Sequence, residues 1–298
     1  MQKIDFIVPV CKNNIILRTV IEALYEFYEP RTIYLITKQS SLTEIQMDAM
    51  AWKIPYNHLA FVNEELYFIK HFQLHRDDIE KMYTYKDHLS REFGWWYQQL
   101  IKLGAYSQLE VLSDPFVIWD ADLIPLIKWD LYPTCESPFY YFAILQEFPK
   151  NKWNMDQYAQ SIFELLHIEA IDPKEGTFVP HHFIIHYKVI QHMLQDIERF
   201  HPGKTWIETI IQLSNTYYRF SEYKCLATYM HSFYPEFLSY HSFSKYGKTG
   251  IRYRDHIDIL PLLLQKLSIQ HGISYFDFIQ FIKTQYIEIP SYIQIEHL

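Results

Sequence analysis

The chain predicts an α/β fold, a mostly parallel sheet flanked by helices with a helical extension at its C-terminal end. Three observations carry this reading. Strand-like and helix-like segments alternate through the first sixty residues, the order that builds a parallel sheet. Later segments repeat apolar residues at helical spacing. Finally, 298 residues with 49% hydrophobic and 21% charged side chains have globular composition and length enough for a full core. The reading places one α/β domain over residues 1–255 and the extension, packed on it, over 256–298.

Ile4 to Val10 is a short apolar run and reads as a buried strand. From Asn13 to Tyr28, apolar residues fall at Ile16, Leu17, Val20, Ile21, Leu24 and Phe27, which is helical spacing, and Pro30 ends it. Thr32–Thr37 is a second strand. Ser41–Met50 reads as a helix, with Ser41 as cap and Glu44 three residues on, as in a capping box. Leu59–Val62 is a third strand. Residues 76–92 are polar and read as a loop or helix over the sheet edge. Gly94–Ser107 is a helix, Phe116–Trp119 a strand and Phe139–Leu145 another. Residues 183–199 and 205–213 read as helices, as does the aromatic segment Tyr223–Phe233. Leu260–Phe281 gives one or two more, broken near Gly272.

Composition excludes several functions. The 27 basic and 35 acidic residues leave a net charge of −8, which is unsuited to gripping nucleic acid. The 7 glycines form no G-x-G pair and no phosphate-binding G-x-x-x-x-G-K-[ST] loop, so any phosphate site must be built differently. Cys11, Cys135 and Cys225 are odd in number and widely spaced, which suits a reducing cytoplasm better than a disulfide framework or zinc site. The N-terminus lacks a secretory apolar core, and no apolar run reaches membrane-spanning length. A cytoplasmic location follows as the expectation, with peripheral membrane association left open.

Two segments carry chemistry. In Phe116-Val117-Ile118-Trp119-Asp120-Ala121-Asp122, a buried strand ends in two carboxylates. The carboxyl ends of parallel strands are where open α/β sheets place ligands. Carboxylate oxygens at Asp120 and Asp122 suit Mn²⁺ or Mg²⁺, which in turn bind diphosphates. A bare D-x-D also occurs in solvated turns. In Gly94-Trp95-Trp96-Tyr97-Gln98-Gln99-Leu100-Ile101-Lys102, helical geometry gathers Trp95, Gln98, Gln99 and Lys102 on one face, and Trp96, Leu100 and Leu103 on an apolar one. A ring, two amides and an ammonium suit a sugar and a diphosphate, although a surface helix has similar composition. His181 and His182 are candidates to line an acceptor pocket. Lys245, Lys248, Arg252 and Arg254 form a basic run able to close over a diphosphate.

The strand IDFIVPV followed by Lys12-Asn13-Asn14, the GWWYQQLIKL helix and the FVIWDADLIPL strand together resemble the GT-A fold glycosyltransferases, whose sheet is Rossmann-like. The nearest likeness is to a bacterial and viral group catalogued as a domain of unknown function with a predicted glycosyltransferase role. The resemblance spans residues 1–130 and continues more loosely to about residue 250. It implies a metal-dependent hexosyl- or pentosyltransferase that moves a sugar from a UDP- or GDP-sugar to a glycan or other hydroxyl acceptor, as in polysaccharide assembly. It further implies that Pro9, Val10, Asn13 and Thr37 border the nucleotide, with Trp95, Gln98, Gln99, Lys102 and Lys245 nearby. Asp120 would face the ribose or the metal, Asp122 would ligate the metal, and His241 would add a late histidine to it. Glu222 would deprotonate the acceptor, giving inversion, although a carboxylate at a helix start also simply complements the helix dipole. The alternatives are a non-catalytic carbohydrate-binding protein of the same fold, and a metal-dependent nucleotidyltransferase or phosphohydrolase.

Overall fold

The computed structural model describes residues 3–84, 90–131, 140–144, 153–172, 176–213, 220–253 and 259–296. The first third alternates as the sequence predicts. It runs β1 (Asp5–Pro9), α1 (Leu17–Tyr28), β2 (Ile33–Thr37), α2 (Gln39–Ala49), β3 (Leu59–Asn63), α3 (Ile69–Phe72), α4 (Arg76–Thr84), α5 (Ser90–Gln108) and β4 (Phe116–Trp119). After β5 (Leu123–Pro125) and β6 (Tyr140–Ala143) come α6 (Trp153–Leu166), β7 (His182–Ile185), α7 (Tyr187–Phe200), α8 (Trp206–Leu213) and α9 (Glu222–Phe233). The chain closes with β8 (Leu238–His241), β9 (Ile251–Tyr253), α10 (Leu260–Lys266), α11 (Tyr275–Gln285) and β10 (Tyr292–Ile295).

The central sheet has the order β3-β2-β1-β4-β7. Its first four strands are parallel and β7 runs antiparallel to β4. The result is a mixed, mostly parallel Rossmann-like sheet flanked by helices. Strand alternation divides the core into two layers. Ile7, Ile36, Phe116 and Ile118 face one layer, closed by α5, α7, α8 and α9. Phe6, Val8, Ile33, Leu35, Val117 and Trp119 face the other, closed by α1 and α11. Burying each such side chain favours folding by roughly 1.5–3 kcal/mol, so the sheet is a rigid platform for whatever sits at its strand ends.

Three expectations need correction. Helix α2 begins at Gln39 with Lys38 at its cap, so Ser41 lies inside it and the Ser41–Glu44 capping box is not formed. The segment read as helical from 183 opens as strand β7, and the helix starts at Tyr187. The C-terminal segment has its helices α10 and α11, but it ends in strand β10, which pairs antiparallel with β5 and parallel with β9. Of the strand read over Phe139–Leu145, Tyr140–Ala143 is β6, paired with β8; residues 139 and 145 lie outside the described residues, as do residues 85–89 of the polar segment and Arg254. Among the described residues, no helix is long and apolar enough to cross a membrane.

Candidate active site

Strand β4 is buried along its whole length and delivers Asp120 and Asp122 at its carboxyl end. The antiparallel register of β7 sets His182 opposite Trp119, so His181 falls across from Asp120, whose backbone N–H donates to the His181 carbonyl at 2.9 Å. His181 holds a left-handed backbone with φ +58°, uncommon for a residue with a Cβ. Its Nδ1 lies 2.9 Å from Asp120 Oδ2. Asp120, Asp122 and His181 thus form a cluster in which one ligand atom from each lies within 4.8 Å of the others. Two carboxylates and an imidazole are a donor set for a divalent cation.

The two carboxylates differ in surroundings. Burial works against ionised Asp120, yet Lys102 and His181 beside it hold its pKa well below the usual carboxylate range. Lys102 Nζ stands 2.6 Å from Asp120 Oδ1, and the Tyr223 hydroxyl donates to the same oxygen at 2.8 Å. Among the described residues Asp122 has no such cation at contact distance, and burial pushes its pKa up. Gln294 Nε2 donates to Asp122 Oδ2 at 3.1 Å, while Asp122 Oδ1 is buried without a hydrogen-bond partner among the described residues. An orphaned buried carboxylate oxygen is costly unless something fills the place beside it.

Behind Asp120 lies a buried polar network. Lys102 is only 1% exposed; its ammonium bridges Asp120 and Glu222, donating to Glu222 Oε1 at 2.6 Å and lying 4.5 Å from the centre of the Tyr223 ring. Burial opposes the ammonium, but the two carboxylates raise its pKa above the ordinary lysine value. Ser221 caps α9, its hydroxyl accepting from the Lys224 N–H, and so sets Glu222 at the first helical position. Gln99 Oε1 accepts from the Glu222 N–H at 3.1 Å, and Gln99 Nε2 is buried without a partner among the described residues. Gln99 and Lys102, three residues apart on α5, therefore reach the same place.

The remaining residues singled out in the sequence are spread more widely. The helix face proposed for α5 divides: Gln99 and Lys102 are buried in the network, Gln98 is half-buried and Trp95 is exposed. Trp96, Leu100 and Leu103 pack in the core. Pro9 and Val10 are buried at the carboxyl end of β1, and Thr37 ends β2 with its hydroxyl buried and unpartnered among the described residues. Asn13 Nδ2 donates to Asp48 Oδ2 at 2.7 Å.

The histidines and Lys245 lie in three different surroundings. The imidazole beside the carboxylates belongs to His181, read in the sequence as an acceptor residue, and the cluster does not include His241. His241 Nε2 lies 3.1 Å from the Asp130 carbonyl oxygen and its ring packs edge-on against Tyr246. His182 turns into the core, with ring centroids 5.2 Å from Trp119 and 5.1 Å from Trp129, and burial lowers its pKa to about 3. Lys245 Nζ is held by Asp130 Oδ2 at 2.8 Å. Tyr223 and Gln294 were not singled out in the sequence, although Tyr223 adjoins Glu222 and Gln294 is a lone amide within the apolar run Tyr292–Ile295.

No protein-family model matches the chain, and no curated protein matches it. Among solved structures, the apo form of mouse xyloside xylosyltransferase 1 is similar with a TM-score of 0.48 and 10% sequence identity, over 87% of this chain and 92% of that one.

Proposed function

We propose that this chain is a metal-dependent glycosyltransferase of the GT-A type, which moves a sugar from a nucleoside-diphosphate sugar to a hydroxyl acceptor with inversion. The observation that carries the reading is the cluster of Asp120, Asp122 and His181 at the carboxyl end of a parallel strand, with Asp122 Oδ1 buried and unpartnered among the described residues. The two carboxylates of that donor set fit Mn²⁺ or Mg²⁺. Bound there, the cation would offset the charge of the departing nucleoside diphosphate.

The chain's own residues supply the rest. Lys102 and Tyr223 fix Asp120 through Oδ1, and His181 through Oδ2, leaving the carboxylate charged and immobile. Pro9, Val10 and Thr37, at the ends of the neighbouring strands β1 and β2, border the nucleotide in this reading. Glu222 takes the acceptor proton: Lys102 occupies its Oε1, and no hydrogen bond is made to its Oε2 among the described residues.

The test is a thermal-shift panel of nucleoside diphosphates and nucleotide sugars, with and without Mn²⁺. A donor at a hundred times its dissociation constant should stabilise the fold by about 2.7 kcal/mol, and only with the cation present. Asp122→Ala should abolish that shift while the protein stays folded. Metal-independent binding, or none to any nucleotide, would overturn the reading. Release of the nucleoside diphosphate only when an acceptor is added separates transfer from hydrolysis and from silent sugar binding.

A further inference from the structure

We infer that Gln294, on the last strand of the chain, is a positioning residue that orients Asp122 for cation binding, so that the metal centre draws on the middle of the chain and on its C-terminal segment. The inference rests on the reading of Asp120, Asp122 and His181 as a divalent-cation site.

Strand β10 is clamped between β5 and β9, with Gln294 opposite Leu123 on one side and Arg252 on the other. The strand holds Asp122 twice. The Ile295 N–H donates to the Asp122 carbonyl at 3.1 Å, and Gln294 Nε2 donates to Asp122 Oδ2 at 3.1 Å. The same amide nitrogen lies 3.3 Å from His181 Nε2 and 3.4 Å from Nδ1, so it rests against the imidazole as well.

The chemistry of that contact is selective. A carboxylate has two equivalent oxygens until a donor claims one. With Oδ2 claimed, Oδ1 is the oxygen left buried and, among the described residues, unpartnered. An amide does this without charge. A lysine in its place would compete with the cation, and a glutamate would repel Asp122. Gln294 is 1% exposed on a strand whose other three residues, Tyr292, Ile293 and Ile295, are also buried. An amide in such surroundings costs free energy unless its hydrogen bonds are made, and among the described residues its side-chain nitrogen finds them at the cluster.

The experiment is a Mn²⁺ titration of the full chain, followed by the electron paramagnetic resonance signal of the free ion, for wild type and Gln294→Met. Methionine keeps the length and removes the donor. Its dissociation constant for Mn²⁺ should rise about 10- to 100-fold, the usual effect of losing a residue that orients a ligand, with the metal-free melting temperature near that of wild type. Ile293→Val, which removes one buried methyl from the same strand without displacing it and without touching Asp122, should lower the melting temperature and leave Mn²⁺ affinity alone. If Gln294→Met does not fold, Gln294→Asn decides, since it retracts the amide by one carbon and should lose the same affinity. Wild-type Mn²⁺ affinity in the folded variant overturns the inference while leaving the metal site standing. A wild-type protein that takes up no Mn²⁺ removes the metal reading and this inference with it.

Discussion

Glu222 is a buried carboxylate with one oxygen committed to Lys102, and what it does with the other is a question of kinetics. Glutamine at this position keeps an acceptor for Lys102 but cannot take a proton. Glu222→Gln should therefore leave donor binding nearly unchanged and cut turnover by about 10²–10⁴-fold, measured by steady-state kinetics beside a donor titration. Unchanged turnover would reduce Glu222 to a partner for Lys102. A second buried carboxylate, Glu64, makes a prediction about pH. Burial pushes its pKa up to about 7, even though Arg76 Nε donates to it at 3.0 Å. A folded pKa above the unfolded value near 4.3 means that the native state keeps a proton the unfolded chain has released. The stability Glu64 contributes is then full below about pH 4 and lost as pH rises through 7. Glu64→Gln cannot titrate, so its stability relative to wild type should rise by up to about 1.4 kcal/mol per pH unit across that window. Urea unfolding of both proteins at several pH values checks this, and parallel pH profiles would refute it. At this scale Asp120, Asp122, Lys102 and Glu222 were legible because each sits in a local motif. His181 was read as an acceptor residue and not as a neighbour of Asp120, since that place comes from strand pairing across 61 residues.

Helix α5 shows what an element adds to its residues. It carries Gln99 and Lys102 to the site on one side and packs Trp96, Leu100 and Leu103 into the core on another. Two of its glycines test how closely it is held. A Cβ at Gly104 would stand 2.6 Å from Phe68 Cε1, and Phe68 is itself fully buried among Tyr67, Phe72, Tyr97 and Trp206. Alanine there gains about 1 kcal/mol of helix propensity and meets overpacking of roughly 1–3 kcal/mol. Gly104→Ala should be net destabilising, whereas Gly94→Ala in the same helix, whose Cβ meets nothing within 4 Å among the described residues, should gain up to about 1 kcal/mol. Urea denaturation of the pair settles it, and equal effects would show that α5 is not packed as described. Helices of this length announce themselves by their period. Strands β5, β7, β9 and β10 do not: each has three or four residues, and unlike β4, equally short, none is a wholly apolar run set off as a segment of its own. Buried on both faces, β5, β7 and β10 also lack alternation between apolar and polar residues. The apolar run His182–Ile185 merged in the sequence with the helix behind it for this reason.

On the scale of the whole molecule, the C-terminal segment is tied to the N-terminal layer at several points. The Ile273 N–H donates to the Ile15 carbonyl, the Thr19 hydroxyl donates to the Ile273 carbonyl at 2.7 Å, and buried Glu22 accepts from the Tyr275 N–H at 2.8 Å. Beyond α11 the chain returns as β10 and delivers Gln294 to Asp122. No local pattern could reveal this, because the partners lie 172 residues apart. Gly250 offers a way to disturb the arrangement from a distance. It precedes β9, and a Cβ there would stand 1.8 Å from Cε1 of Tyr292, the first residue of β10. The Tyr292 ring is 3% exposed and set edge-on against Trp129, so it has little room to retreat. Gly250→Ala must therefore displace the ring, and with it the strand. Because β10 holds Asp122 through both its main chain and Gln294, the displacement should reach the metal cluster although Gly250 touches none of its members. The expected result is a loss of about 1–3 kcal/mol in stability together with weaker Mn²⁺ binding in the protein that remains folded. The coupling of the two is what the architecture demands. A Gly250→Ala protein that is destabilised but binds Mn²⁺ as wild type does would mean that the cluster is set by β4 and β7 alone.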